Sequence, residues 1–326
     1  MKLSAIRTVG LTRDYGTLRA LDHLDLDIRE GELFGLLGPN GAGKTTTIRL
    51  LTGLIRPTAG KAYVDGVDVG ADPLAAKARL GVVPERSNLY QELSARDNLI
   101  FAAQLYGLPR REWGARADEL LRAFKLSDRA GTRFGALSGG MKRRLTIAAA
   151  LVHRPPILLL DEPTTALDVA SARALRGMIR ELHQQGATIL LTTHLIAEAE
   201  QLCDRVAILV QGRLVAVDTP GALCARCATQ QVVEVSLRAP SEALVAALRA
   251  SPQVQQLSRS GNRLRLEVRS VAGALAEIAA TAQRFATEIE RLQTVGPTLE
   301  DAFVALTGVD VETLQNAKPR QTGGGG

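Results

Sequence analysis

The chain has 326 residues, 46% hydrophobic and 23% charged, proportions that fit a globular protein of two domains and not a disordered or fibrous one. A net charge of +6 is mild for this length and reads as a solvated basic surface, and with aromatics at only 3% there is no set of stacking platforms, so no nucleic-acid partner is expected. No apolar run approaches the ~18 residues of a membrane span, "MKLSAIRTVGLTRDYG" lacks the apolar core of a leader, and three cysteines fit a reducing compartment, so a cytoplasmic location is expected.

From residue 3 to about 228, short apolar runs alternate with helical patterns. Tyr15, in "TRDYG", stands ahead of a hairpin-like stretch. "LFGLLG" (33–38), "ILLLD" (157–161), "TILLTT" (188–193) and "VAILVQ" (206–211) are apolar throughout, as suits strands of a sheet covered on both faces by helices. Between them "TTIRLLTGLI" (46–55), "ADELLRAFKL" (117–126) and "SARALRGMIRELHQQG" (171–186) repeat apolar residues at three- and four-residue spacing and predict amphipathic helices.

After residue 228 the pattern changes. "QVVEVSLRA" predicts a half-exposed strand, "SEALVAALRA" a helix, and "VQQLSRSGNRLRLEV" a hairpin turning at Gly261-Asn262. "VAGALAEIAATAQ" predicts a helix, "TEIERLQTV" a strand, and "PTLEDAFVALTG" a capped helix ending at Gly308. Strand, helix, two strands, helix, strand is the order of a split βαβ domain. The expected organisation is an α/β domain at 1–228, a small α+β domain at 229–310, and a disordered Gly-rich tail at 311–326.

The chemistry begins at "GLLGPNGAGKTT" (35–46). An apolar strand, then Gly38, four residues, Gly43, Lys44 and Thr45 opening a helix, is the P-loop pattern in its required context. The loop Gly38, Pro39, Asn40, Gly41, Ala42, Gly43 turns successive N–H groups toward phosphates. Lys44 adds a point charge at the β/γ-phosphates, and the hydroxyl of Thr45, followed by Thr46, suits Mg²⁺. In "ILLLDEP" (157–163), Asp161 ends a buried strand, where it can hold the Mg²⁺ shell; Glu162 is then placed as general base on a water. The pair could also cap a helix. His194 lies just past another buried strand and can contact a γ-phosphate or serve structure alone. Tyr15 is either an adenine-stacking ring or an ordinary surface aromatic. In "LSGGMKRR" (137–144), Ser138, Gly139 and Gly140 open a helix as a second phosphate-binding N-terminus. The following Lys142, Arg143 and Arg144 read as a solvated helix face.

Together these segments resemble the ATP-binding subunit of an ABC transporter. "GPNGAGKT" resembles Walker A, "ILLLDE" Walker B, "LSGGM" the LSGGQ signature, "ALD" (166–168) the D-loop with Asp168, and "TTH" (192–194) the switch histidine. The resemblance covers roughly residues 3–228. It implies an ATPase that uses ATP and Mg²⁺ and pairs head to tail with a second ATPase subunit. Ser138, Gly139 and Gly140 would then serve the partner's ATP while Lys44, Glu162 and His194 act in cis. It further implies an integral membrane permease partner and a place on the cytoplasmic face of the membrane. "PERSNLY" and "GPTLEDAFVALTG" are similar to bacterial exporter ATPases for drugs, lipids or glycans. Two positions depart from the pattern: Met141 replaces the last signature residue, and Glu85 stands where the Q-loop glutamine is usual, a possible ligand of Mg²⁺ or its water. The other class considered is a soluble ABC ATPase acting on ribosomes or DNA. Those usually carry tandem cassettes or a coiled-coil insertion, and this sequence has one P-loop and one LSGG. Cys224 and Cys227, in "CARC", read as a packed pair: zinc would need two more ligands, with Cys203 the only candidate nearby.

Overall fold

A computed structural model describes residues 4–226, 231–296 and 298–309. The Gly-rich tail expectation and Cys227 lie outside them. Contacts divide the chain into two compact units, one reaching to Pro220 and the other spanning Gly221–Gly308.

The first unit holds two sheets. One is antiparallel, built from β1 (Ser4–Tyr15), β2 (Leu18–Arg29), β4 (Ala59–Val64) and β5 (Val67–Asp68) in the order β2-β1-β4-β5. The second runs β10-β9-β3-β8-β7-β6, from β3 (Leu33–Leu37), β6 (Leu80–Val83), β7 (Ile157–Asp161), β8 (Thr188–Thr193), β9 (Arg205–Val210) and β10 (Arg213–Asp218). All neighbours in it are parallel except the β9–β10 hairpin. Every residue of β3, β7 and β8 is buried, which is why these strands read as unbroken apolar runs. Ile6, Leu24 and Ile28 of the antiparallel sheet share one core with Phe34, Leu36, Leu159 and Leu190 of the parallel sheet.

Helix α1 (Lys44–Leu51) follows β3, and α2 (Pro73–Ala78) precedes β6. A helical block follows, with α3 (Ala95–Leu105), α4 (Trp113–Ala123) and α5 (Gly139–Ala150). Helices α6 (Val169–Gln184) and α7 (Ile196–Leu202) flank β8 in sequence. Two predicted helices end earlier than their apolar spacing suggests. Helix α1 stops at Thr52 because Gly53 turns left-handed at φ +62°, and α4 gives way after Ala123 because Lys125 does so at φ +54°. Leu54, Ile55 and Leu126 therefore lie beyond the helices.

In the second unit, α8 (Pro220–Arg226), which straddles its start, leads to β11 (Gln231–Leu237), α9 (Glu242–Arg249), β12 (Val254–Ser260), β13 (Arg263–Val268), α10 (Val271–Arg284), β14 (Ile289–Val295) and α11 (Leu299–Thr307). The sheet order β12-β13-β11-β14, antiparallel throughout, is the split βαβ arrangement. Gly261, at φ +60°, makes the predicted hairpin turn. Helix α11 starts with a Thr298–Asp301 capping box and ends on left-handed Gly308. Val233, Val235, Leu264 and Leu266 alternate into a core against Leu244, Leu248 and Ile278. Leu266 is fully buried, so Leu266→Ala should cost about 2–5 kcal/mol by cavity formation, read as a lowered midpoint in chemical denaturation of the full chain. Cys224 is half-buried on α8, and no cluster of metal-ligating residues occurs among the described residues.

Candidate active site

The phosphate loop joins the end of β3 to α1, and close packing demands glycine at two places in it. A side chain on Gly38 would strike the Leu209 carbonyl at 2.1 Å, and Gly43, at φ +108°, sits with its would-be Cβ 2.7 Å from the Ala20 carbonyl. Hydrogen bonds from Ala42 N–H to Pro39 O (3.1 Å) and from Gly212 N–H to Ala42 O (2.9 Å) fix the curl. Asn40 and Gly41 are exposed on it, as is Thr45, while Thr46 is half-buried. Lys44 is buried and donates to the carbonyls of Gly38 (2.6 Å) and Pro39 (3.2 Å).

The parallel strands bring the other groups to the same edge. Thr45 Oγ1 lies 3.4 Å from Asp161 Oδ1, which also accepts a 2.6 Å bond from Thr192 Oγ1. Glu162 N–H is held by Thr192 through its carbonyl and its hydroxyl, both at 3.1 Å. Glu162 itself takes φ +47°, a left-handed conformation that costs a glutamate about 1–3 kcal/mol. Its carboxylate is buried between three partners: Lys44 Nζ at 3.1 Å, His194 Nδ1 at 2.8 Å, and Thr165 Oγ1 at 3.2 Å. Burial works to raise its pKa, but the His194 hydrogen bond and the Lys44 charge outweigh it and hold the carboxyl below its ordinary range. Glu162 is thus an anion at neutral pH, and His194 must carry its proton on Nδ1 to donate to it.

Arg143 corrects the solvated reading of the basic run. Only 7% of it is exposed. Its guanidinium donates to the carbonyls of Asp161 (2.7 Å), Pro163 (2.8 Å), Glu85 (3.1 Å) and Pro84. Burial pushes its pKa down to about 10, against the pull of Asp161, Glu198, Glu85 and Glu162, so it stays cationic at neutral pH. Its neighbours are not simply solvated either: Lys142 caps the Gly135 carbonyl at 2.9 Å and Arg144 the Phe124 carbonyl at 3.2 Å. A sequence signal existed, since Arg143, Ile147 and Ala150 fall on one buried stripe of α5. Thr192 and Glu198 were also missed. Thr164 Oγ1 donates to Glu198 Oε1 at 2.8 Å, pinning the turn after Glu162 to α7, and burial pushes the Glu198 carboxyl up.

The remaining candidates stand apart from this cluster. Ser138 caps α5 by accepting from Met141 N–H at 3.3 Å, and Ser138 and Gly139 are exposed. Gly140 has a packing reason of its own, because a Cβ there would lie 2.6 Å from Ser171 Oγ on α6. Asp168 is exposed and caps α6, accepting from Ser171 N–H at 2.9 Å. Glu85 is exposed, and its carbonyl accepts the anchoring bond from Arg143 Nη1. Tyr15 is 40% exposed, with the Arg13 guanidinium over its ring at 4.6 Å.

Comparison with known proteins gives this geometry a family. The ABC transporter family profile matches residues 21–165. The chain is 39% identical to the Nod factor export ATP-binding protein I of Rhizobium sp. (strain N33), over 96% of this chain and all of the relative. It is 35% identical to the linearmycin resistance ATP-binding protein LnrL of Bacillus subtilis (strain 168), over 93% and 98%. Among solved structures, an ATP-binding subunit of an ABC transporter superposes with TM-score 0.62 at 34% identity, covering 68% of this chain and 93% of that one. The dimeric cassette MJ0796, captured after hydrolysis with ADP and Pi, gives 0.60 at 28% identity, covering 66% and 98%. With a nucleotide-binding P-loop set against a buried Asp-Glu pair, and likeness along nearly the whole length of such relatives, this chain belongs to the ATP-binding subunits of ABC transporters and is an ATPase.

Proposed function

We propose that two copies of this chain close head to tail around two ATP molecules and drive export through a separate membrane-spanning subunit. The observation that carries this reading is the division of the site. Buried Lys44 and Glu162 form one cluster with half-buried His194, while Ser138 and Gly139 face outward at the start of α5. A helix N-terminus with exposed backbone N–H groups and a small hydroxyl suits the γ-phosphate of a nucleotide bound to another copy. Export follows the name of the Nod factor export relative, and a resistance role like that named for the linearmycin relative is compatible with it.

In this reading the phosphate loop, Gly38 to Thr46, cradles the phosphates, and Tyr15 stacks on the base. A triphosphate competes with Glu162 for Lys44. By drawing the ammonium to itself it frees the Glu162 carboxylate to take a proton from the attacking water. His194 orients that carboxylate through Nδ1–H; to donate to a phosphate oxygen through Nε2 as well, its ring must carry both protons. Thr45 and Asp161 meet as two hard oxygen donors at 3.4 Å, a set that fits Mg²⁺, which takes one or two protein oxygens and completes its shell with phosphates and water. When bound, the ion neutralises charge on the β- and γ-phosphates. Glu85 and Asp168 are assigned to the outer edge of the site.

No helix among the described residues is long and apolar enough to cross a membrane; the proposed membrane subunit is a separate chain, with this one against it on the cytoplasmic side. The test is purification of the tagged chain from detergent-solubilised membranes. Recovery with an integral partner, together with ATP-dependent phosphate release, supports the proposal; recovery with ribosomes or DNA overturns it. Chelating Mg²⁺ with EDTA should lower phosphate release at least 100-fold, and restoring Mg²⁺ should recover it.

A further inference from the structure

We propose that Arg143 is a positioning residue that ties the segment around Glu85 to the catalytic strand end, so that the two move as one when ATP binds. The argument rests on where its donors go. Nη1 reaches the carbonyls of Pro84 and Glu85, just beyond β6, while Nε and Nη2 reach those of Pro163 and Asp161, on either side of Glu162. Strands β6 and β7 are parallel neighbours, paired from Leu80 with Ile157 to Val83 with Leu160. Their ladder ends where these carbonyls begin, and Arg143 continues the cross-link beyond it. A planar guanidinium with five donors in a fixed fork reaches four carbonyls on two segments at once, more than the three donors of an ammonium can hold.

Other contacts reinforce the same connection. Thr146, in the next turn of α5, accepts or donates a 2.8 Å bond with Ser87 Oγ, adding a second link from α5 to the 84–90 segment. Thr192 holds Glu162 from the opposite side, on β8. The base is thus set between β8 and a tie leading to the Glu85 segment and the helix that Ser138 opens. Because the bonds go to backbone carbonyls, the tie does not depend on which side chain stands at position 85. The Glu85 departure from the family pattern can therefore occur without uncoupling that segment from the base.

The inference rests on the ATPase reading of the site; phosphate release by the unsubstituted chain tests that reading, and the variants are judged only against it. In the full chain, Arg143→Gln should keep ATP affinity within about threefold, measured in the Glu162→Gln background, while phosphate release falls at least tenfold. Hydrogen exchange should show that ATP still protects the phosphate loop but no longer protects residues 84–90. Arg143→Lys, which keeps charge and most of the volume, should recover part of both signals and serves as the readout where the glutamine variant folds poorly. Unchanged turnover would overturn the proposal, as would protection of 84–90 that persists without the guanidinium, a loss of protection spread evenly over the domain, or a lysine variant no better than glutamine.

Discussion

Replacing Glu162 by glutamine should lower phosphate release by about 100- to 10,000-fold, the range that a positioned general base contributes, while ATP is still bound. The side chain is isosteric, but Lys44 donates to Oε1 and His194 and Thr165 to Oε2 (3.1, 2.8 and 3.2 Å), and the amide keeps an oxygen on only one of those sides. What disappears is the negative charge that can accept a proton from water. That charge also holds Lys44 in an ion pair, so removing it lowers the competition a triphosphate meets. ATP affinity should therefore stay level or rise, and a closed dimer should accumulate with ATP, seen as an ATP-dependent shift in size-exclusion chromatography. Rapid turnover by Glu162→Gln would remove Glu162 from the role of base. Loss of ATP binding would mean that the carboxylate supports the phosphate loop instead.

How much of this site could be read beforehand depends on how locally each part is encoded. The phosphate loop was legible because its glycines, lysine and threonine are consecutive and each answers a backbone or charge requirement. The Asp161–Glu162 pair was legible because four buried apolar residues before it place it at a strand end. Thr192 was not, since its importance comes from β7 and β8 lying side by side in a register that sets Asp161 opposite it. Arg143 was misread for a related reason. A basic run suggests solvent, and only the phase of α5 puts its middle residue among carbonyls from two other segments. In the second unit, the strand and helix order was enough to indicate the split βαβ sheet, because alternation and turn residues are local signals. The ends of α1 and α4 were overrun because apolar spacing continues past the left-handed residues that stop the helices.

Ser138→Arg should leave ATP binding by an isolated subunit within about threefold of the parent while cutting hydrolysis at least 100-fold, because the bulky cation blocks the face that another copy's nucleotide would meet. One complication is built into the fold. Ser138 also caps α5, and losing a cap costs about 0.5–2 kcal/mol, so a loss of activity could reflect a frayed helix. Ser138→Asp separates the two roles. Aspartate caps as well as serine, which preserves stability, yet it sets a carboxylate against the γ-phosphate, so hydrolysis should still be lost. The decisive measurement mixes two inactive chains, Ser138→Arg and Lys44→Ala. If each ATP lies between one chain's phosphate loop and the other's Ser138, the mixed dimer has one site with both defects and one with neither. An equal mixture should then regain roughly a quarter of the parent rate, given random pairing across a two-fold interface. If Ser138 instead served the nucleotide of its own chain, every site in every dimer would carry a defect, and mixing would restore nothing.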